Sequence, residues 1–221
     1  VRYYLDTEFN EDGYARIDLI SIGVYCEDGR EYYAVAGDGW DPKQCNKWVR
    51  ENVLPYLRTD AQKINPSSLN NLILSFADGG DEEEHEELRE LGIPVKSREQ
   101  IRDELIAFFD PKRFPTGEPV SPDVFTQNDC VKPEIWGYFA DYDWVLFCQL
   151  FGRMIDLPKF MPMFCLDLKQ EMVIHGIDRK ELPRQDGVEH NALHDARWLE
   201  RMHKFISILK DRERNPMGPP W

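Results

Sequence analysis

The chain has 221 residues, enough for one sizeable core, and no internal repeat, which favours one domain with an insertion over two domains. No apolar run approaches a membrane span and the amino terminus carries no basic-then-apolar signal pattern, so a cytoplasmic protein with no membrane partner is expected. A net charge of −14 argues against the broad basic footprint that grips duplex nucleic acid, so that a nucleic-acid partner is compatible with it where metal ions and a few local cations handle the phosphates.

Taken in order, Tyr3 to Phe9 (YYLDTEF) is rich in aromatic and β-branched residues and reads as a strand. Side chains two apart share a strand face, so Asp6 and Glu8 project side by side, an arrangement that calls for a cation between them. Asn10 to Gly13 is a polar turn. Ile17 to Tyr25 is a second β-run, and Glu27 to Arg30 a turn before a third run, Glu31 to Val35. These three runs form an antiparallel meander. Asp41-Pro42 reads as the cap of a helix that carries Cys45, Trp48, Val49 and Val53 and ends near Pro55.

Residues 59–96 are polar, contain the acidic run 81–87, and read as an insertion packed on the domain. The run lacks the glycine turn and alternating ligands of a calcium loop, and it reads as a solvated face; His85 within it is not read as a ligand. Ser97-x-x-Gln100 is a capping box opening a helix with Ile101, Leu105, Ile106 and Phe109 on its apolar stripe, and Asp110-Pro111 ends it. A proline-rich loop leads to a strand at Ile135 to Phe139 and then to an apolar helix, Trp144 to Phe151. A helix at about 167–174, a polar loop from Gly176 to Glu189 and a last helix from His190 or Asn191 to about Lys210 follow, with a loose tail over 211–221. Three β-runs, then alternating helices and a further strand, give an α/β layer fold with a mixed sheet flanked by helices. The five widely spaced cysteines contain no C-x-x-C pair and read as reduced, mostly buried thiols.

Asp195 carries the most information. With Ala192, Leu199 and Met202 at helical spacing around it, it sits on the apolar stripe of the last helix, where a carboxylate must pair, neutralise or bind a metal. Arg197 is the simplest ion-pair partner. His190, at the entrance of that helix, is placed to serve as a general base, and His194 competes for the role from a quarter-turn away. His175 and His203 have no acids grouped around them. Asp143 marks a strand-to-helix junction, where helix capping is the competing reading, and Asp141 shares its loop.

Asp6-x-Glu8, an Asp at the mid-chain junction and His190-x-Ala192-x-x-Asp195 together resemble the motif set of the DEDDh 3′-to-5′ exonucleases, which include ribonuclease T and polymerase proofreading subunits. The runs RYYLDTEF, IDLISIGV, DGREYYAV, WVRENVLP, DYDWVLFCQLFG and HNALHDA further resemble a bacterial 3′-exoribonuclease family known from mycobacteria, over most of the chain but not over 59–96. In that family the acid follows Tyr and opens the helix ending in CQL, which selects Asp143 over Asp141. The resemblance implies a ribonuclease-H-like fold, a single exonuclease domain over 1–210, and two Mg²⁺ or Mn²⁺ ions held by Asp6, Glu8, Asp143 and Asp195. It also implies His190 as the base, and a single-stranded RNA 3′ end as substrate. Related exonucleases include dimers, so a homodimer is open. Phe9, Trp136 and Tyr138 stand beside motif residues, where aromatic rings can stack on terminal bases. The rival readings are a DNA-directed exonuclease of the proofreading type and a non-catalytic binding module on the same fold.

Overall fold

The structure, a computed structural model, describes residues 1–11, 13–14, 16–65, 73, 82–109 and 132–214. Its centre is β1 (Arg2–Glu11), which alternates Tyr4 toward one helical layer with Tyr3 and Leu5 toward the other. β1 pairs antiparallel with β2 (Ile17–Cys26), which pairs antiparallel with β3 (Glu31–Ala36), so the expected meander is present. On the other side, β5 (Glu134–Gly137) pairs parallel with β1. Two-residue strands complete each edge: β4 (Val95–Lys96) beside β3, and β6 (Leu166–Asp167) beside β5. The sheet is mixed and six-stranded, in the order β4-β3-β2-β1-β5-β6. The two short strands carry too few residues to show an alternation, which is why the sequence pattern reveals neither.

The helices are α1 (Lys47–Asn52), α2 (Glu82–Glu90), α3 (Arg98–Phe109), α4 (Asp141–Leu150), α5 (Leu168–Ile174) and α6 (Ala192–Arg214). One core layer joins Tyr3, Leu5 and Ile22 to Ile101, Leu105, Phe109 and Phe147 of α3 and α4. The other joins Tyr4 and Trp136 to Leu168, Met172, Leu199, Met202 and Ile206 of α5 and α6. Helices on both faces of a mixed sheet are compatible with the ribonuclease-H-like architecture. No helix among the described residues is long and apolar enough to cross a membrane.

Local signals explain several boundaries and correct others. The capping box is complete: Ser97 N–H donates to Gln100 (2.9 Å) and Gln100 N–H to Ser97 Oγ (3.2 Å). The expected cap of α1 at Asp41 is replaced by Asn46, whose Oδ1 accepts from Val49 N–H at 3.0 Å, while Asp41 closes a turn by accepting from Lys43 N–H. Asp143 does not cap α4. That helix begins two residues earlier, behind Ala140, and Asp143 lies in its first turn. Within segment 59–96, Leu88 and Ile93 are buried in the core, and Val35 N–H of β3 donates to Pro94 O at 3.0 Å, so the described part is tied into the sheet edge. The side chains at 82–85, His85 included, most of 66–81, the Asp110-Pro111 helix end, the proline-rich loop, Cys130 and the tail from 215 lie outside the described residues.

Candidate active site

One glycine decides where the site forms. Gly23 stands opposite Asp6 in the β1–β2 register, and a Cβ there would overlap the Ala192 and Leu193 backbone. The start of α6 therefore rests directly on the sheet beside Asp6, the close approach that a glycine inside a strand permits. Asn191 fixes this end. Its Oδ1 accepts from His194 N–H (3.2 Å) as the cap of α6, and its Nδ2 donates to Tyr56 O (2.8 Å) and Arg58 O (3.1 Å). With the helix seated, Asp195 in its first turn faces Asp6 and Glu8.

Asp143 arrives from the other side. β5 pairs with β1 only as far as Tyr4, so the β1 edge is open at Thr7, where Asp143 Oδ1 accepts from Thr7 N (2.9 Å) and Thr7 Oγ1 (2.5 Å). Asp141 is exposed and stays outside the cavity. The result is a cavity of about 390 Å³ lined by Asp6, Glu8, Asp143, His190 and Asp195. Glu8 and Asp143 are 7% and 6% exposed, as expected for ligands and not for solvated surface acids.

His190 closes one wall. Its backbone has φ +66, a left-handed conformation that non-glycine residues adopt rarely and that concentrates at functional sites. Its N–H donates to Asp195 Oδ2 at 2.9 Å, and its ring meets the edge of Trp48 with centroids 4.7 Å apart. Ligand atoms of Glu8, His190 and Asp195 lie within 4.8 Å of one another. The polar loop before His190 is pinned to α6 by Trp198 Nε1 donating to Pro183 O (2.9 Å), by the Arg201–Asp186 ion pair and by Gln185 Nε2 donating to Asp195.

The charges are uncompensated. Burial, then the neighbouring charges of Asp195 and Asp143, hold Asp6 and Glu8 well above the ordinary carboxylate range. Burial pushes Asp143 up to about 7, against the Thr7 hydrogen bonds that pull it down. Asp195 is pushed by burial to about 6, with the Gln185 hydrogen bond and His190 opposing. The expected alternative partner, Arg197, is taken by Glu31 (Nε to Oε1, 2.7 Å). Clustered carboxylate oxygens that resist ionisation together fit an oxygen-loving divalent cation, whose charge inverts the local balance.

The structure brings Phe9 and Tyr138 to the cavity wall but not Trp136. Trp136 is buried under the sheet with its ring 4.1 Å from that of His203, whose Nδ1 lies 3.1 Å from the Tyr4 hydroxyl. On a four-residue strand, Tyr138 and Trp136 share a face by count, but the chain turns after Gly137 and frees only the former. His194 does not enter the cavity. Its ring packs on Gly187 and its Nδ1 lies 3.3 Å from Val188 N, so it supports the His190 loop from outside. Sequence reasoning missed Thr7, Trp48, Phe139, Arg179 and Gln185; the one available signal was Gly23 in mid-strand.

Four acids from a central strand and the first turns of two helices, with His190 just before the second helix, form an acidic cluster that could hold a metal ion. A family model described as the 3′-5′ exoribonuclease Rv2179c-like domain matches residues 85–207, a range that holds Asp143, His190 and Asp195 and takes in residues 85–96. The chain is also 34% identical over 214 residues to the 3′-5′ exoribonuclease Rv2179c of Mycobacterium tuberculosis strain ATCC 25618 / H37Rv, covering 97% of this chain and 98% of that protein. The 3′-5′ exoribonuclease MT2234.1 of strain CDC 1551 / Oshkosh matches to the same extent, so the resemblance reaches through 59–96. The chain belongs to the Rv2179c-like 3′-5′ exoribonuclease family.

Proposed function

We propose that this protein hydrolyses RNA from a single-stranded 3′ end, releasing nucleoside 5′-monophosphates, with Asp6, Glu8, Asp143 and Asp195 holding two Mg²⁺ or Mn²⁺ ions. The observation that carries this reading is the convergence of four mutually repelling carboxylates on one cavity beside His190. When bound, the two ions supply Lewis-acid polarisation of the phosphodiester and stabilise charge on the leaving 3′ oxygen. His190, as the neutral imidazole, takes a proton from the attacking water, while the Trp48 edge and the Asp195 hydrogen bond to its backbone hold the ring in place. Water oxygen bonds to phosphorus as the bond to the 3′ oxygen of the preceding nucleotide breaks. Phe9 and Tyr138 offer faces for the terminal bases.

In this reading residues 1–210 act as one exonuclease domain with 59–96 packed into it. The free thiols of Cys26, Cys45, Cys148 and Cys165 fit the reducing cytoplasm. The test is digestion of matched 5′-labelled RNA and DNA strands in Mg²⁺, Mn²⁺ or chelator. We expect stepwise mononucleotide release from RNA in metal alone, and none from Asp6→Ala. A wild-type protein inert in both metals, or an Asp6→Ala variant as active as wild type, refutes the assignment.

A further inference from the structure

A site built to repel phosphate must still hold a polyanionic strand, and the cavity wall contains one guanidinium to do so. Among the described residues six carboxylates line the cavity, those of Asp6, Glu8, Glu11, Asp143, Glu189 and Asp195, and the only Lys or Arg lining it is Arg179. In such surroundings an arginine would be expected to pair with an acid, yet no ion pair forms between Arg179 and any carboxylate among the described residues. The reason lies in its own turn. Asp178 and Glu181, the acids nearest in sequence, form a capping box in which Asp178 Oδ1 accepts from Lys180 N (2.9 Å) and Glu181 Oε1 from Asp178 N (2.8 Å). Both are occupied by backbone donors, and the exposed guanidinium beside them is left facing the cavity.

Arg179 does not stand alone. Its charge acts on the Tyr138 hydroxyl, and the Tyr138 ring meets that of Phe139 with centroids 4.8 Å apart. Phe139 is 61% exposed and held at φ +55, a left-handed backbone that turns its ring outward at the cavity mouth. Lys169, also free of any ion pair among the described residues, places Nζ 5.8 Å from the centroid of that ring. A half-buried ring, Tyr138, and an exposed one, Phe139, each with a cation beside it that forms no ion pair among the described residues, make a strip leading away from the acids. Alternating stacking faces and cations are how proteins follow a single strand without reading its sequence.

We propose that Arg179 and Lys169 bind backbone phosphates of the RNA strand upstream of its 3′-terminal nucleotide, along a track over Tyr138 and Phe139. This rests on the exonuclease reading above and adds where the uncleaved strand lies. Small substrates that end at the reacting phosphate gain nothing from the track, whereas longer strands do.

The test compares an RNA about ten nucleotides long with the p-nitrophenyl ester of a nucleoside 5′-monophosphate, which has no upstream phosphate. For Arg179→Gln we expect KM for RNA to rise about tenfold and the salt dependence of kcat/KM to flatten by ~0.7 in log–log slope for each phosphate that the side chain no longer neutralises. The same variant loses several-fold less on the ester than on RNA, Lys169→Gln shows a smaller change of the same kind, and Arg179→Lys restores part of the loss. An unchanged KM and salt slope in Arg179→Gln overturns the proposal. Equal losses on both substrates overturn it too, because they place Arg179 at the reacting phosphate. Wild-type protein inert toward both substrates in Mg²⁺ and Mn²⁺ instead removes the exonuclease reading and the track with it.

Discussion

If the four acids are held together against their repulsion, removing one charge must stabilise the metal-free protein while destroying its function. Asp143→Asn is the sharpest case, because an amide oxygen can still accept both Thr7 hydrogen bonds. Asp143 ordinarily ionises near 3.8 and is pushed to about 7 here. A carboxyl whose pKa rises on folding contributes stability that is fully present below its unfolded pKa and is lost as pH rises through its folded one. Between about pH 4.5 and pH 8 the wild type should therefore lose ~3 kcal/mol through Asp143 that the neutral asparagine does not lose. For a chain of this size that is a Tm difference growing by ~6–12 °C across the range.

The assay is thermal or urea unfolding of both proteins in chelator at several pH values. Comparing the two proteins cancels shared groups away from the site, while Asp6 and Glu8, raised in part by the Asp143 charge, add to the difference in the same direction. His203 is among the groups that cancel: burial lowers its pKa to about 4, so its contribution runs the other way and is lost as pH falls below about 6.5. Adding Mg²⁺ at pH 8 should close most of the gap, since a ligand at a hundred times its Kd stabilises the wild type by ~2.7 kcal/mol, and Asp143→Asn should not respond. A difference between the proteins that stays flat with pH would refute the account of a self-repelling site.

Two further variants separate the seating of the site from its chemistry. Gly23→Ala should cost ~1–3 kcal/mol or more, since its Cβ would displace the Ala192 backbone, and should weaken Mg²⁺ binding by moving Asp195; unchanged unfolding and metal titration would show that the helix end is not seated as described. His190→Ala should lower kcat by ~10²–10⁴-fold with metal affinity within a few-fold, whereas lost affinity in a calorimetric titration would make His190 a ligand.

The parts of the fold that repeat a pattern were legible in the sequence. β1 to β3 are runs of β-branched and aromatic residues bounded by turn signals, and α6 sets Asp195 among Ala192, Leu199 and Met202, which marks it as a buried acid. What no local pattern records is contact between distant segments. Asp41-Pro42 has better capping chemistry than Asn46, yet Asn46 caps α1 because its backbone N–H is also taken by Asn10 Oδ1 at 3.1 Å. Trp136 and Tyr138 are equivalent by residue type, and only the end of β5 at Gly137 and the packing of His203 send one to the core and the other to the cavity. Thr7 is unremarkable in sequence because its role depends on where β5 stops.

That same non-local character gives the acids of the site three separate origins in the fold. Asp6 and Glu8 lie on the sheet, Asp143 hangs from a helix on one face, and Asp195 enters from a helix on the other. A divalent ion that accepted oxygens from all three would therefore bridge both core layers through the central strand. The protein's own hydrogen bonds at the site do less: Thr7 ties Asp143 to β1, while Asp195 is satisfied by Gln185 and the His190 backbone from its own loop. The His190 loop and the start of α6 are thus held against the acids by Asn191, Gly23 and the Arg201–Asp186 pair, all outside the cavity. The seating of the site rests on these neutral or self-contained interactions, and none of them neutralises a carboxylate of the cavity.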